Sequence, residues 1–205
     1  MITPAAAVSY GLCLILAGLL LLINTVNLLT AFLALLTAFL YVVIYTPMKR
    51  LTWLNTSLGS MPGALPPVGG WTAATGELEP GAWALFAILF AWQHPHFYAI
   101  AWIFRDDYAR AGFKMLPVLE KDGRRTCRHV VVFSILLIAS STVPVLLGLS
   151  GPLYLAGALI LGLGMLASAV ALNVTRSTIE ARRLLRASVL YLPLLLLLTV
   201  VDVSF

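Results

Sequence analysis

The sequence predicts an all-α integral membrane protein built as a bundle of seven transmembrane helices. Three observations lead there. The chain is 61% hydrophobic and 10% charged, whereas soluble domains carry about 25% charged residues. Several runs near twenty residues contain no charge, which is the length needed to span a bilayer. All thirteen Lys and Arg residues fall in three patches beside apolar runs, as expected of residues that anchor and orient a membrane protein. The net charge of +5 therefore speaks for topology, not for nucleic acid. Cys13 lies in an apolar run and Cys127 in a basic segment; neither suggests a disulfide or a zinc site. The first apolar run has no basic residues ahead of it and does not read as a cleavable signal.

Six spans are plain, at 4–23, 28–46, 81–104, 129–149, 152–173 and 185–203, with Asn, Pro, Gly and charges between them. No repeat or linker divides them, so the chain reads as one domain over 1–205. The segment “NTSLGSMPGALPPVGGW”, 55–71, is uncharged but rich in Gly and Pro. By propensity it is a loop. Charge parity says otherwise. If it crosses as a short, broken helix, then Lys49 and Arg50, the segment from Arg105 to Arg128, and Arg176 to Arg186 share one side. The other side then holds no Lys or Arg. The positive-inside rule favours that solution, and a broken helix is tolerated where it lines a cavity. The expected topology is seven spans, with the N-terminus and the basic loops cytoplasmic and the C-terminus outside.

The basic side also carries the chemistry. Asp106 and Asp107 are acceptor-only when ionised and suit Mg²⁺, which is commonly held by one or two carboxylates together with substrate phosphates. Lys49, Arg50, Arg110 and Lys114 suit a phosphate or diphosphate, Arg by its planar fork and Lys as a point charge. Metal-binding acids beside phosphate-binding bases, at the mouth of a membrane bundle, suggest a diphosphate on a lipid-soluble substrate. No P-loop or dinucleotide glycine pattern is present. A plainer reading stays open: Asp106 and Asp107 stand at i, i+4 and i, i+3 to Arg110, as in ordinary surface ion pairs, and Lys49 and Arg50 fit topogenic anchors equally.

His94 and His96 flank Pro95 within an apolar run. Ionisable residues at such depth face the bundle interior. Helical spacing puts Trp92, His96, Ala99, Ile103 and Asp107 on one stripe, with His96 and Asp107 roughly 16 Å apart at 1.5 Å per residue. Pro95 argues for a kink. One substrate could then touch both ends of the stripe, or the histidines could simply bond neighbouring helices. His129 begins a helix and reads as interfacial. Tyr41, Tyr45, Trp92, Phe97 and Tyr108 are candidate aromatic walls.

Five stretches, “YTPMKRLTWLN”, “GSMPGALPPVGGWTAATG”, “WQHPHFYAIAW”, “RDDYARAGFKMLPV” and “ARRLLRASVLYLPLLLLL”, together resemble the UbiA superfamily of membrane prenyltransferases. Within it they resemble the branch that farnesylates heme. The resemblance runs in order over nearly the whole chain. It implies a nine-helix fold with two acidic motifs that bind a diphosphate through Mg²⁺. It implies transfer of farnesyl from farnesyl diphosphate to a vinyl group of heme B, giving heme O for terminal oxidases. It places the protein in the inner membrane, with heme A synthase or oxidase-assembly proteins as candidate partners. Carried over, Asp106 and Asp107 match the second acidic motif. Lys49 and Arg50 match a basic pair, and Arg110 and Lys114 the basic positions after the motif. Asn55 matches a polar residue facing the cavity, and His96 the family's Pro-His-Phe histidine, a candidate for contacting heme. Tyr108 belongs to the second motif.

The sequence departs from the family in one respect. The first acidic motif is absent, and “ITPAAAVSYG” resembles the start of the third family helix. The resemblance therefore implies seven of the nine helices and a partial fragment, inactive alone. Two other readings remain: another UbiA-type transferase acting on an aromatic ring, and a membrane heme carrier or transporter using the histidines.

Overall fold

The computed structural model describes residues 3–120 and 122–203. Seven long helices account for most of them: α1 Pro4–Thr25, α2 Leu28–Met48, α3 Asn55–Thr75, α4 Pro80–Ile103, α5 Arg124–Leu146, α6 Pro152–Thr175 and α7 Thr178–Val203. Short helices at Arg105–Arg110 and Leu116–Leu119 lie in the segment after α4.

Local chemistry sets most boundaries. Thr3 caps α1, its Oγ1 accepting from the Ala6 N–H at 3.2 Å, and Pro4 opens the helix, a position that needs no N–H donor. Asn27 caps α2 by accepting from the Thr30 N–H at 2.7 Å. The same side chain donates to the Thr72 carbonyl at 2.8 Å, so one residue starts α2 and ties it to α3. Gly76, at φ +80°, ends α3 in the left-handed conformation that glycine adopts freely.

The segment expected to be a short, broken helix is instead a continuous helix of 21 residues, running through Pro62, Pro66 and Pro67. Packing overrides propensity here. α3 lies between α2 and α4, and a proline-bearing helix at membrane depth is tolerated when neighbouring helices enclose it. α4 likewise runs without a break through Pro95. Five of the long helices, α1, α2, α5, α6 and α7, are long and apolar enough to cross a membrane by length and composition.

α4 is the hub, packing on α3, α5 and α7, while α5 packs on α6 and α6 on α7. The core between them holds Tyr98, Leu137, Tyr154, Met165, Leu172, Leu184, Tyr191 and Leu195, all fully buried. Lipid is as apolar as leucine, so close packing and interhelical hydrogen bonds hold such a bundle together. Ser141 and the Tyr191 hydroxyl meet at 2.7 Å between α5 and α7. α1 packs against α2 and buries none of its residues.

The three basic segments meet at one end of the bundle. The Lys114 N–H donates to the Lys49 carbonyl at 3.0 Å. Arg125 lies 4.9 Å over the Trp53 ring, and Arg176 donates to the Asp122 carbonyl at 3.3 Å. At the opposite end, Trp71 donates to Glu79 at 2.9 Å, and the Asp202 carboxylate accepts from the Gly151 and Tyr154 N–H groups. This arrangement predicts an accessibility pattern. In a Cys13→Ser background, with Cys127 buried, Leu51→Cys and Thr178→Cys should react with a membrane-impermeant thiol reagent from one side of oriented vesicles. Leu78→Cys and Leu147→Cys should react from the other. Joint labelling of Leu51→Cys and Leu78→Cys would show that α3 does not cross.

Candidate active site

A cavity of about 210 Å³ opens at the basic end between α2, α3, α4 and the segment after α4. Its α2 wall is Tyr41 and Tyr45, with ring centroids 5.2 Å apart. These rings sit on a wide turn at Leu40–Tyr45, where the Thr46 N–H reaches back to the Tyr41 carbonyl. Pro47 explains the wide turn. It has no N–H to give and its ring crowds the carbonyl four residues back, so the helix absorbs an extra residue there. Such insertions recur at functional sites.

The α3 wall is Asn55, Thr56, Gly59 and Gly63. Asn55 is fully buried and donates to the Thr52 carbonyl at 2.9 Å and, more weakly, to the Lys49 carbonyl at 3.4 Å. It therefore braces the loop that carries Lys49. The two glycines are one turn apart and admit neighbouring side chains. A Cβ on Gly59 would stand 2.7 Å from the Tyr45 ring, and one on Gly63 would stand 2.1 Å from Gln93 Oε1. From α4 come Gln93 and Phe97. The Gln93 amide donates to the carbonyls of Ser60 and Leu89, both at 3.2 Å.

Tyr108, Phe113 and Met115 close the cavity from the loop. Tyr108 and Phe113 lie 5.8 Å apart. Burial raises the Tyr108 phenol pKa above the ordinary tyrosine range, so it stays protonated at neutral pH. Lys49 lines the cavity with its ammonium 5.2 Å from the Phe113 centroid, and Arg50 approaches the same ring at 5.9 Å. The result is an aromatic cavity with cations at its mouth. It can hold an apolar chain inside and an anion outside, and it offers π faces to a positive centre.

Of the site residues expected from sequence, Lys49, Asn55 and Tyr108 line this cavity and Arg50 stands at its rim. Lys114 joins the rim through its backbone bond to Lys49. Asp107 is exposed and ion-paired with Arg110. Asp106 faces a separate hollow shared with Arg105, Asp122 and Arg176. The two carboxylates thus do not converge on one point, because adjacent residues on a helix differ by about 100°. His96 lies outside the cavity. Its Nδ1 meets Ser188 Oγ on α7 at 2.8 Å, and its ring stacks on Trp92 at 4.6 Å. His94 bonds Ser57 on α3 at 3.0 Å and stacks on Phe133 at 3.5 Å. Both histidines bond neighbouring helices. Among the described residues, no three or more of His, Cys, Asp and Glu group together as a metal cage.

Sequence reading missed Gln93, Phe113, Gly59 and Gly63. The i, i+4 spacing of the glycines in “GSMPG”, typical of close helix contact, was a usable signal. Gln93 is next to the histidines that drew attention instead. The Gly63–Gln93 contact makes a prediction. Gly63→Ala should cost about 1 kcal/mol, the worth of one intramolecular hydrogen bond, by forcing the amide off the Ser60 carbonyl. In a Gln93→Ala background the same change should be nearly free. Unfolding in detergent reads both, and equal costs would contradict the contact.

The model of the UbiA prenyltransferase family matches residues 1–198. A protoheme IX farnesyltransferase of Solibacter usitatus is 52% identical over 196 residues, covering 96% of this chain and 67% of that protein. One from Salinibacter ruber is 48% identical over 162 residues, covering 79% and 57%. One from Sorangium cellulosum is 40% identical over 195 residues, covering 95% and 69%. The chain thus spans between about three fifths and two thirds of these curated relatives. A solved structure, from work on digeranylgeranylglyceryl phosphate synthase in membranes, superposes with a TM-score of 0.73 at 17% identity, covering 98% of this chain and 70% of that one. That likeness concerns the fold alone. Matched over nearly its whole length, the chain belongs to the UbiA prenyltransferase family, in its protoheme IX farnesyltransferase branch.

Proposed function

We propose that the basic-end cavity is the prenyl-diphosphate site of a heme farnesyltransferase, which joins the farnesyl group of farnesyl diphosphate to a vinyl carbon of heme B to form heme O. The relatives' named activity supports the reaction. The observation that carries the site is Lys49, placed at the mouth of a cavity walled by Tyr41, Tyr45, Tyr108 and Phe113.

The chemistry follows from that arrangement. The bond between the first farnesyl carbon and the diphosphate oxygen breaks, and its electron pair leaves with the diphosphate. Lys49 and Arg50 stabilise the charge gathering on the leaving group, an electrostatic effect that is strong in a water-poor site. The allylic cation left behind is stabilised by the aromatic faces, and exclusion of water protects it until the vinyl group reacts. The vinyl π electrons form the new carbon–carbon bond. Water then adds to the resulting cation on the heme side chain and loses a proton.

Mg²⁺ would supply further charge neutralisation on the diphosphate. We assign one carboxylate contact to Asp107, exposed beside Arg110 on the segment that carries Tyr108, with the ion borne mainly by substrate phosphates. Its neighbour Asp106 faces the other hollow. His96, held by Ser188 and Trp92, is assigned to helix packing in this conformation. The basic end is assigned to the cytoplasmic face of an inner membrane by the positive-inside rule. A product this apolar is best handed on within the membrane, to a heme A synthase or an oxidase-assembly protein.

The test compares substitutions in a chain of the relatives' full length, supplied with farnesyl diphosphate, heme B and Mg²⁺. Asp107→Ala and Lys49→Ala should each lower heme O formation by at least about 100-fold, the scale of losing one transition-state contact. Asp106→Asn should stay within about threefold of the unsubstituted protein, since Asp106 faces the separate hollow and not the basic-end cavity. Near-normal product from Asp107→Ala would remove the metal role. Product from a phenolic acceptor but not from heme B would favour an aromatic-ring transferase.

A further inference from the structure

A second cavity, of about 250 Å³, lies at the end of the bundle remote from Lys49. Leu85 and Leu89 of α4, Tyr154 of α6, Leu196 of α7, Trp71 of α3 and Ser150 of the α5–α6 turn line it. It shares no lining residue with the basic-end cavity and has no charged residue in its wall.

The turn that carries Ser150 is tightly held. The Leu149 N–H donates to the Pro144 carbonyl at 2.9 Å. Asp202 accepts from the N–H groups of Gly151 and Tyr154. These bonds fix Ser150 from both sides, yet its Oγ is buried without a hydrogen-bond partner, alone among the buried side-chain polar atoms of the described residues. A buried hydroxyl is normally satisfied. The rest of the wall is mostly hydrocarbon, which favours an apolar occupant over an ordered water with its two to four polar partners.

The space has room for about eight water-sized groups at roughly 30 Å³ each, and its lining lacks dispersion partners when it stands empty. The fitting occupant is a hydrocarbon chain with one acceptor at its end. The α5–α6 turn lies at the edge of two spans, the depth at which the polar interface meets the bilayer's hydrocarbon. Phospholipid ester carbonyls occupy that depth. Leu149 and Leu196, 38% and 45% exposed, stand at the rim, where a chain can enter from the bilayer. We propose that this cavity holds one acyl chain of a bilayer phospholipid, whose ester carbonyl accepts a hydrogen bond from Ser150 while its hydrocarbon lies against Leu85, Leu89 and Leu196. The chain fills the gap between α4 and α7. With no charge in the wall, the headgroup is not selected. The site is independent of the reaction assigned to the basic end.

The test uses the whole chain reconstituted in nanodiscs of a synthetic diester phosphatidylcholine, extracted in mild detergent and weighed by native mass spectrometry. The unsubstituted protein should retain one phospholipid. Leu85→Trp, which puts an indole in the path of the chain, should retain at least tenfold less. Ser150→Ala should retain about three- to tenfold less, the factor expected for one hydrogen bond. The diether lipid with the same chains has no carbonyl. It should be retained less than the diester by the unsubstituted protein and equally with it by Ser150→Ala. Ser150→Ala and the ether comparison decide the question even where Leu85→Trp fails to fold. Equal retention of ester and ether lipids by the unsubstituted protein would overturn the proposal. So would retention unaffected by either substitution, or recovery of a prenyl compound in place of the phospholipid.

Discussion

Hydrocarbon offers no partner to a polar group, so a polar side chain inside the bundle is driven to find one within the protein. Four residues near the middle of α4 show what that requirement builds. Gln93 and His94 reach α3, through the Ser60 carbonyl and the Ser57 hydroxyl. Trp92 and His96 reach α7, where both end on Ser188, one on its carbonyl and one on its hydroxyl. Polar side chains within little more than one turn thus bind the central helix to both sides of the bundle. The crossing positions of α3 and α7 follow from these bonds. Each is modest in a membrane; their common location in one helix makes them a register.

The basic-end cavity depends on that register. Gln93 fills the notch at Gly63 and Tyr45 the notch at Gly59, so the upper walls are set by how closely α2 and α4 approach α3. The mouth is set differently, by backbone bonds among loops. Asn55 holds the loop at Lys49, and the Lys49 carbonyl in turn receives Lys114. A rigid apolar chamber under a charged rim matches what ionisation of an allylic diphosphate needs: fixed charges where negative charge develops and a dry aromatic wall where positive charge develops.

Much of this was legible in the residues themselves. Apolar runs identified six of the long helices, and counting where the thirteen Lys and Arg residues fall added α3 and the shared basic end, because charge cannot be hidden in lipid. The continuity of α3 was not legible. Its Gly and Pro content argues for a loop by propensity, and the helices that override propensity are distant in sequence. Lys49, Asn55 and Tyr108, singled out by motif, line the cavity, whereas His96 and Asp106 do not, because a helical stripe says which residues share a face and not which face meets the cavity. The stripe from Trp92 to Asp107 begins on α7, while the neighbouring stripe through Gln93 and Phe97 lines the chamber.

The central claim is that the prenyl chain lies between α2, α3 and α4 beneath Lys49. The most direct measurement is photolabelling with a prenyl diphosphate that carries a diazirine in its hydrocarbon chain, competed by farnesyl diphosphate and mapped by peptide mass spectrometry. The expected result is competed labelling at Tyr45, Phe97 or Met115, with none at the second cavity. Competed labelling on the opposite face of α4, at Trp92, His96 or Ser188 of α7, would contradict it.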